Sequence, residues 1–108
     1  MKKLKFIIAI FTLFTTLTLN AQPKPEAKAK KFTDEITKVL SLNKEESNAI
    51  YQIQLNRFTE NQAIEKQYAS DAEGKKEKLK ALGNKTFNEM KKVLGEERQK
   101  QWKEYKGN

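Results

Sequence analysis

The chain has 108 residues, 33% of them charged, and 22 Lys and Arg against 14 Asp and Glu give a formal charge of +8. It contains no cysteine and no histidine. Composition therefore excludes disulfide frameworks, thiolate or imidazole metal sites, a cysteine-linked lipid anchor, and catalysis by cysteine or histidine.

In chain order, residues 1–21 read as a secretory signal peptide. Lys2, Lys3 and Lys5 precede an apolar run from Phe6 to Leu19, and Ala21 supplies a small residue for cleavage before Gln22. The run is too short for a bilayer span, which needs ~20 residues. Export to the periplasm as a soluble protein is the expectation. Residues 22–25 form an extended leader, because Pro23 and Pro25 disfavour helix in the residues before them. Pro25 can itself open a helix, since a first-turn amide has no intrahelical partner to lose.

Residues 26–108 are expected to be a single all-α domain, a small elongated hairpin or bundle of about four helices. Ala, Lys, Glu, Gln and Leu dominate, and these are good helix formers. The first helix, Glu26 to Leu40, sets Phe32, Ile36, Val39 and Leu40 on one apolar face. The second runs from Lys44 to about Tyr68. Its stripe of Ile50, Ile53, Ile64 and Tyr68 is flanked by Tyr51, Leu55 and Phe58, an arc wide enough to need more than one neighbour.

Ala69 to Gly74 reads as a loop, with Ser70, Asp71 and Gly74 as breakers. The third segment, Lys75 to Leu94, buries Leu79, Leu82, Thr86, Met90 and Val93, with Gly83-Asn84 as the expected site of a kink or a short break. The last, Glu96 to Lys106, presents Trp102 and Tyr105. Large apolar residues are few for helices of this length, so the core is thin and a homodimer is expected.

Charge is unevenly spread. Without the three signal-peptide lysines the balance is 19 basic residues against 14 acids, or +5. Residues 75–106 hold 11 Lys and Arg against 5 Asp and Glu, an excess of six, while residues 22–70 nearly cancel. A basic half attracts acidic proteins or anionic lipid, and export argues against nucleic acid. The plainer alternative is a lysine-rich face that serves solubility. Lys78, Leu79, Leu82, Lys85, Phe87, Met90 and Lys92 are the candidate client-binding residues, combining lysines with apolar positions on one segment.

Two local motifs stand out. Leu42-Asn43-Lys44-Glu45-Glu46 places a good N-cap, Asn43, three residues before Glu46, whose carboxylate can reach back to the Asn43 amide in a capping box. Glu45 and Glu46 also suit the positive end of the helix dipole. Fifty-two residues on, Leu94-Gly95-Glu96-Glu97-Arg98 repeats the arrangement with Gly95 at the cap and Glu97 in the first turn.

Two such helix starts in a small, exported, helical chain resemble the LTXXQ-motif family of periplasmic proteins, the Spy/CpxP-like group. Here Asn43 and Gly95 stand where the motif has threonine, and Glu46 and Arg98 where it has glutamine. The resemblance implies a helical hairpin that dimerises into a curved cradle. Such a cradle holds unfolding clients on a basic, partly apolar face without ATP, as a chaperone or envelope-stress adaptor does.

No catalytic, cofactor-binding or metal-binding residues are read from the chain. Adjacent carboxylates such as Asp34-Glu35 and Glu96-Glu97 diverge on a helix. The remaining acid–base groups form no recognisable constellation, so no enzyme and no cofactor is expected. The two other readings from composition are a peripheral binder of anionic membranes, with Phe87, Trp102 and Tyr105 on a basic helix, and a passive secreted helical interaction protein.

Overall fold

The computed structural model describes residues 24–107. The expected signal peptide, and the start of the leader at Gln22 and Pro23, lie outside the described residues. Helix α1 spans Pro25–Leu40, α2 Lys44–Gln67 and α3 Ala72–Gly107, with no strand among the described residues.

Helix α1 opens at Pro25 on an extended Lys24, whose carbonyl accepts from the Lys28 amide at 3.2 Å. It stops at Ser41, which takes a left-handed conformation with φ 52°, and the Leu42 amide turns back to the Thr37 carbonyl at 3.1 Å. Ala29, Thr33 and Ile36 are its buried residues. The Thr33 hydroxyl donates to the Ala29 carbonyl at 2.7 Å, so its burial leaves no polar group unpaired. Val39, expected on the apolar face, is exposed instead, because Phe32, Ile36 and Leu40 already fill the contact with the neighbouring helices.

Helix α2 buries only Ile50 and Gln54 fully. A short connection through Asp71 leads to α3, where the Gly74 amide donates to the Asp71 side chain at 3.0 Å. The expected loop up to Gly74 is therefore shorter than the sequence suggested, because Asp71 caps the helix and recruits residues 72–74 into its first turn.

The expectation of about four helices is corrected to three: the expected third and fourth segments are two arms of α3. The arms meet at Gly95, whose φ 82° and ψ 167° lie in a region essentially reserved for glycine. Gln99 Nε2 reaches the Phe87 carbonyl at 2.9 Å across this point. In a straight helix twelve residues would separate the two by about 18 Å, so the chain folds back here. The expected kink at Gly83-Asn84 does not occur. A single glycine costs a helix only about 1 kcal/mol, which neighbouring turns absorb, whereas the reversal requires a backbone state that only Gly95 adopts.

Ile36, Leu42, Ile50, Met90, Leu94 and Trp102 form the core, with Phe32, Leu40, Ile53 and Val93 packed against it. All three helices and the folded-back arm contribute, so the core sits where Gly95 and the α1–α2 turn come together. Helix α2 extends about 36 Å and α1 only about 24 Å, so the far part of α2 pairs with α3 alone. The molecule is accordingly elongated, 62 × 29 × 25 Å. No helix among the described residues is long and apolar enough to cross a membrane.

Candidate functional site

The two motifs meet in space. Asn43 caps α2 as expected: its side-chain oxygen accepts from the Glu46 amide at 2.8 Å, and its own amide donates to Glu46 Oε1 at 3.2 Å. The same Glu46 carboxylate takes two hydrogen bonds from Arg98, from Nη1 at 3.2 Å and from Nη2 at 2.6 Å. Glu46 and Arg98 hold the fourth place after Leu42 and Leu94, so equivalent positions of the two motifs join as a fork-to-fork ion pair. This pairing was not foreseen from the sequence, although the shared spacing of the two motifs was the signal for it.

Arg98 also closes the end of the first arm of α3. Its Nε donates to the Leu94 carbonyl at 2.9 Å, and Nη2 to the Val93 carbonyl at 3.4 Å. These are among the carbonyls that a helix C-terminus leaves without partners. The guanidinium thus lies at the negative end of one helix and the carboxylate at the positive end of another, where each charge is favoured. The Arg98 hydrogen bonds, and secondarily the one from the Asn43 amide, hold the Glu46 carboxyl below its usual value, and the bond to Glu46 raises Arg98 in turn. Gly95 provides the reversal that brings Arg98 back to Glu46. Leu42 and Leu94 are buried in the core, while Glu97 is exposed. The arrangement is a latch between the α1–α2 turn and the folded arm.

The candidate client-binding residues divide between two faces. Leu82 and Met90 are buried between α2 and α3, where Met90 Sδ accepts from Gln54 Nε2 at 3.4 Å, and Leu79 is half-buried. This corrects the expectation that they share a surface with the lysines: helical periodicity turns them inward. Lys78, Lys85, Lys92 and Phe87 are exposed, with Phe87 54% accessible. Lys85 lies 3.6 Å from Glu60 in an exposed ion pair of the kind that contributes little to stability.

A second cluster, absent from the sequence expectations, forms where the folded arm crosses α1. The Trp102 ring meets Phe32 edge-on at 5.4 Å and stacks on Tyr105 at 5.5 Å. Lys106 sits 5.3 Å above Trp102 and 3.5 Å from Glu35, which also accepts from the Tyr105 hydroxyl at 3.2 Å. Trp102 is only 9% exposed. Among the described residues no three carboxylates gather in a way that would hold a metal ion.

Fold and site together define a small helical bundle in which a polar latch ties the α1–α2 turn to the folded arm. The chain belongs to the family described as Domain of unknown function (DUF4890), which matches it over residues 18–106. No curated protein and no solved structure matches it.

Proposed function

We propose that this is an exported, ATP-independent chaperone-like or envelope-stress adaptor protein, of the kind the LTXXQ resemblance implies, that holds unfolded or acidic clients on a basic, partly apolar surface. The observation that carries this reading is Phe87, a large aromatic side chain more than half exposed on the helix whose residues 75–106 carry an excess of six positive charges. Lysines draw an acidic chain in from a distance, and exposed apolar side chains then contact its unfolded segments. No catalytic role or cofactor is part of the proposal.

A homodimer is part of the same reading. Helix α2 has 24 residues and fully buries two of them, while Tyr51, Leu55 and Ile64 stay half-buried along it and Tyr68 at its C-terminal end. That partly covered apolar flank supports pairing with a second copy. Sedimentation equilibrium at micromolar concentration is the check, and a well-folded monomer there removes the dimeric cradle.

The competing reading is a peripheral binder of anionic membranes. It requires Phe87, Trp102 and Tyr105 to enter the headgroup region together, yet Trp102 is packed between Phe32 and Tyr105. Light scattering of a thermally unfolding client, with the protein starting at Gln22 and without ATP, separates the readings. Suppression near equimolar ratio that weakens with added salt supports the proposal. Binding to anionic vesicles without suppression transfers the assignment to membranes, and neither activity leaves a passive helical interaction protein.

A further inference from the structure

The cluster around the folded arm opens into a notch of about 270 Å³, lined by Lys28, Lys31, Phe32, Glu35, Phe58 and Lys106. Its floor is aromatic, from the half-buried Phe32 of α1 and Phe58 of α2. Its rim is cationic. Lys28 Nζ stands 5.9 Å from the centre of the Phe58 ring, and the Arg57 guanidinium 5.5 Å from the same ring. Glu35 is the one carboxylate in the lining, and Tyr105 and Lys106 already engage it. Among the described residues, Lys28 and Lys31 are within ion-pair distance of no carboxylate, since Asp34 pairs with Lys30 and Glu35 with Lys106.

We infer that this notch seats an apolar side chain of an extended acidic polypeptide, with a neighbouring carboxylate of that chain bound between Lys28 and Lys31. The inference rests on the client-binding reading above and names where, and for which chemistry, capture is specific. Three observations carry it. Charge complementarity comes first, because two unpaired lysines beside an apolar floor call for a carboxylate attached to an apolar group. Size comes second: the notch holds the volume of roughly nine water molecules, close to one large side chain plus a carboxylate. Shape comes third. Phe32 and Phe58 are half-buried and Trp102 behind Phe32 is buried, so the two phenylalanines can receive an apolar group while none of the three stands out from the surface as an interfacial anchor must.

The test uses a fluorescein-labelled peptide in which Phe and Asp alternate with Ser, beside versions with Asn for Asp and Ser for Phe. Lys28→Glu/Lys31→Glu is compared with Lys76→Glu/Lys80→Glu, which changes net charge equally at exposed sites on α3. Circular dichroism confirms that both variants fold. The peptide should bind the wild type, and the Lys28→Glu/Lys31→Glu variant should bind about tenfold more weakly than the α3 variant. Trp102, the single tryptophan, should change its fluorescence on binding because its ring touches the Phe32 wall. The Asn and Ser peptides should each bind less than the parent.

Equal losses in the two variants would reduce the effect to net charge and overturn the notch. If the wild type suppresses client aggregation and Lys28→Glu/Lys31→Glu does so equally well, the notch is wrong while the client-binding reading stands. If the wild type neither suppresses aggregation nor binds the peptide, that reading falls and the notch falls with it. Phosphatidylglycerol vesicles whose binding is lost in Lys28→Glu/Lys31→Glu, with no binding of peptide, would reassign the lysines to lipid and overturn the peptide site.

Discussion

Glu46 and Arg98, fifty-two residues apart, form a two-pronged ion pair with a shortest contact of 2.6 Å, and each also completes a helix terminus. Glu46 closes the capping box of α2, and Arg98 covers the last carbonyls of the first arm of α3. One contact therefore joins a local device to a tertiary one. It ties the folded arm, which carries Trp102 and Lys106 to Phe32, to the start of α2.

This pair makes stability depend on pH in a stated direction. The Glu46 carboxyl is held below its usual value by Arg98 and by the Asn43 amide. A lowered folded-state value means that the stabilisation is complete above the ordinary carboxylate range and is lost as pH falls through the lowered value. Urea melts of wild type and Glu46→Gln should differ most near neutral pH and converge in acid. A difference that persists unchanged once carboxylates are protonated would show that the charge on Glu46 contributes nothing.

Asn43→Ala should cost about 1 kcal/mol, because it leaves the Glu46 amide without its acceptor at the start of α2. Asn43→Asp should restore most of the loss, since an aspartate oxygen accepts the same bond. If chemical denaturation finds the alanine variant as stable as wild type, the cap does not hold in solution.

Two glycines of α3 should respond in opposite directions. Gly95→Ala forces a side chain into φ 82°, ψ 167°, at a cost of about 1–3 kcal/mol, or straightens the helix and releases the arm. Gly83 is helical, and an added Cβ there meets nothing within 4 Å. Gly83→Ala should therefore stabilise by about 0.4–1 kcal/mol. Thermal melts followed by Trp102 fluorescence report both, since release of the arm strips Trp102 from Phe32. Equal destabilisation by the two substitutions would move the reversal away from Gly95.

Ile50→Ala and Phe87→Ser separate stability from function. Ile50 is completely buried in the core, and its truncation should cost about 2–5 kcal/mol. Phe87 is exposed, so its replacement should change stability by no more than about 0.5 kcal/mol while weakening suppression of client aggregation. Full suppression by Phe87→Ser in the light-scattering assay would remove Phe87 from the client surface.

Reversing Lys78, Lys85 and Lys92 to glutamate should slow client capture and leave helicity intact, because all three are exposed. Stopped-flow measurements across a salt series are the check, since screening shortens electrostatic reach to ~10 Å at 0.1 M. A capture rate that ignores both the substitutions and the salt would leave long-range attraction with no part in binding.

What the sequence alone determined is local. The helical class, a proline able to open α1 one residue before the expected Glu26, the Asn43–Glu46 capping box and the breakers near Asp71 depend on contacts within four residues, which chain order makes visible. Tertiary structure decided everything that depends on a distant partner. Gly83 and Gly95 are equally permissive residues, and the reversal falls at Gly95 because only there does the arm return Trp102 to the core that Ile36, Ile50 and Met90 begin. Gln54 is 1% exposed and Val39 lies open for the same reason, since burial follows the neighbouring helix and not the residue's own hydrophobicity. The pairing of Glu46 with Arg98 exists only once the arm has folded back, and the notch between Phe32 and Phe58 only once α1 lies against α2, because each joins residues whose separation along the chain exceeds the reach of any helical turn.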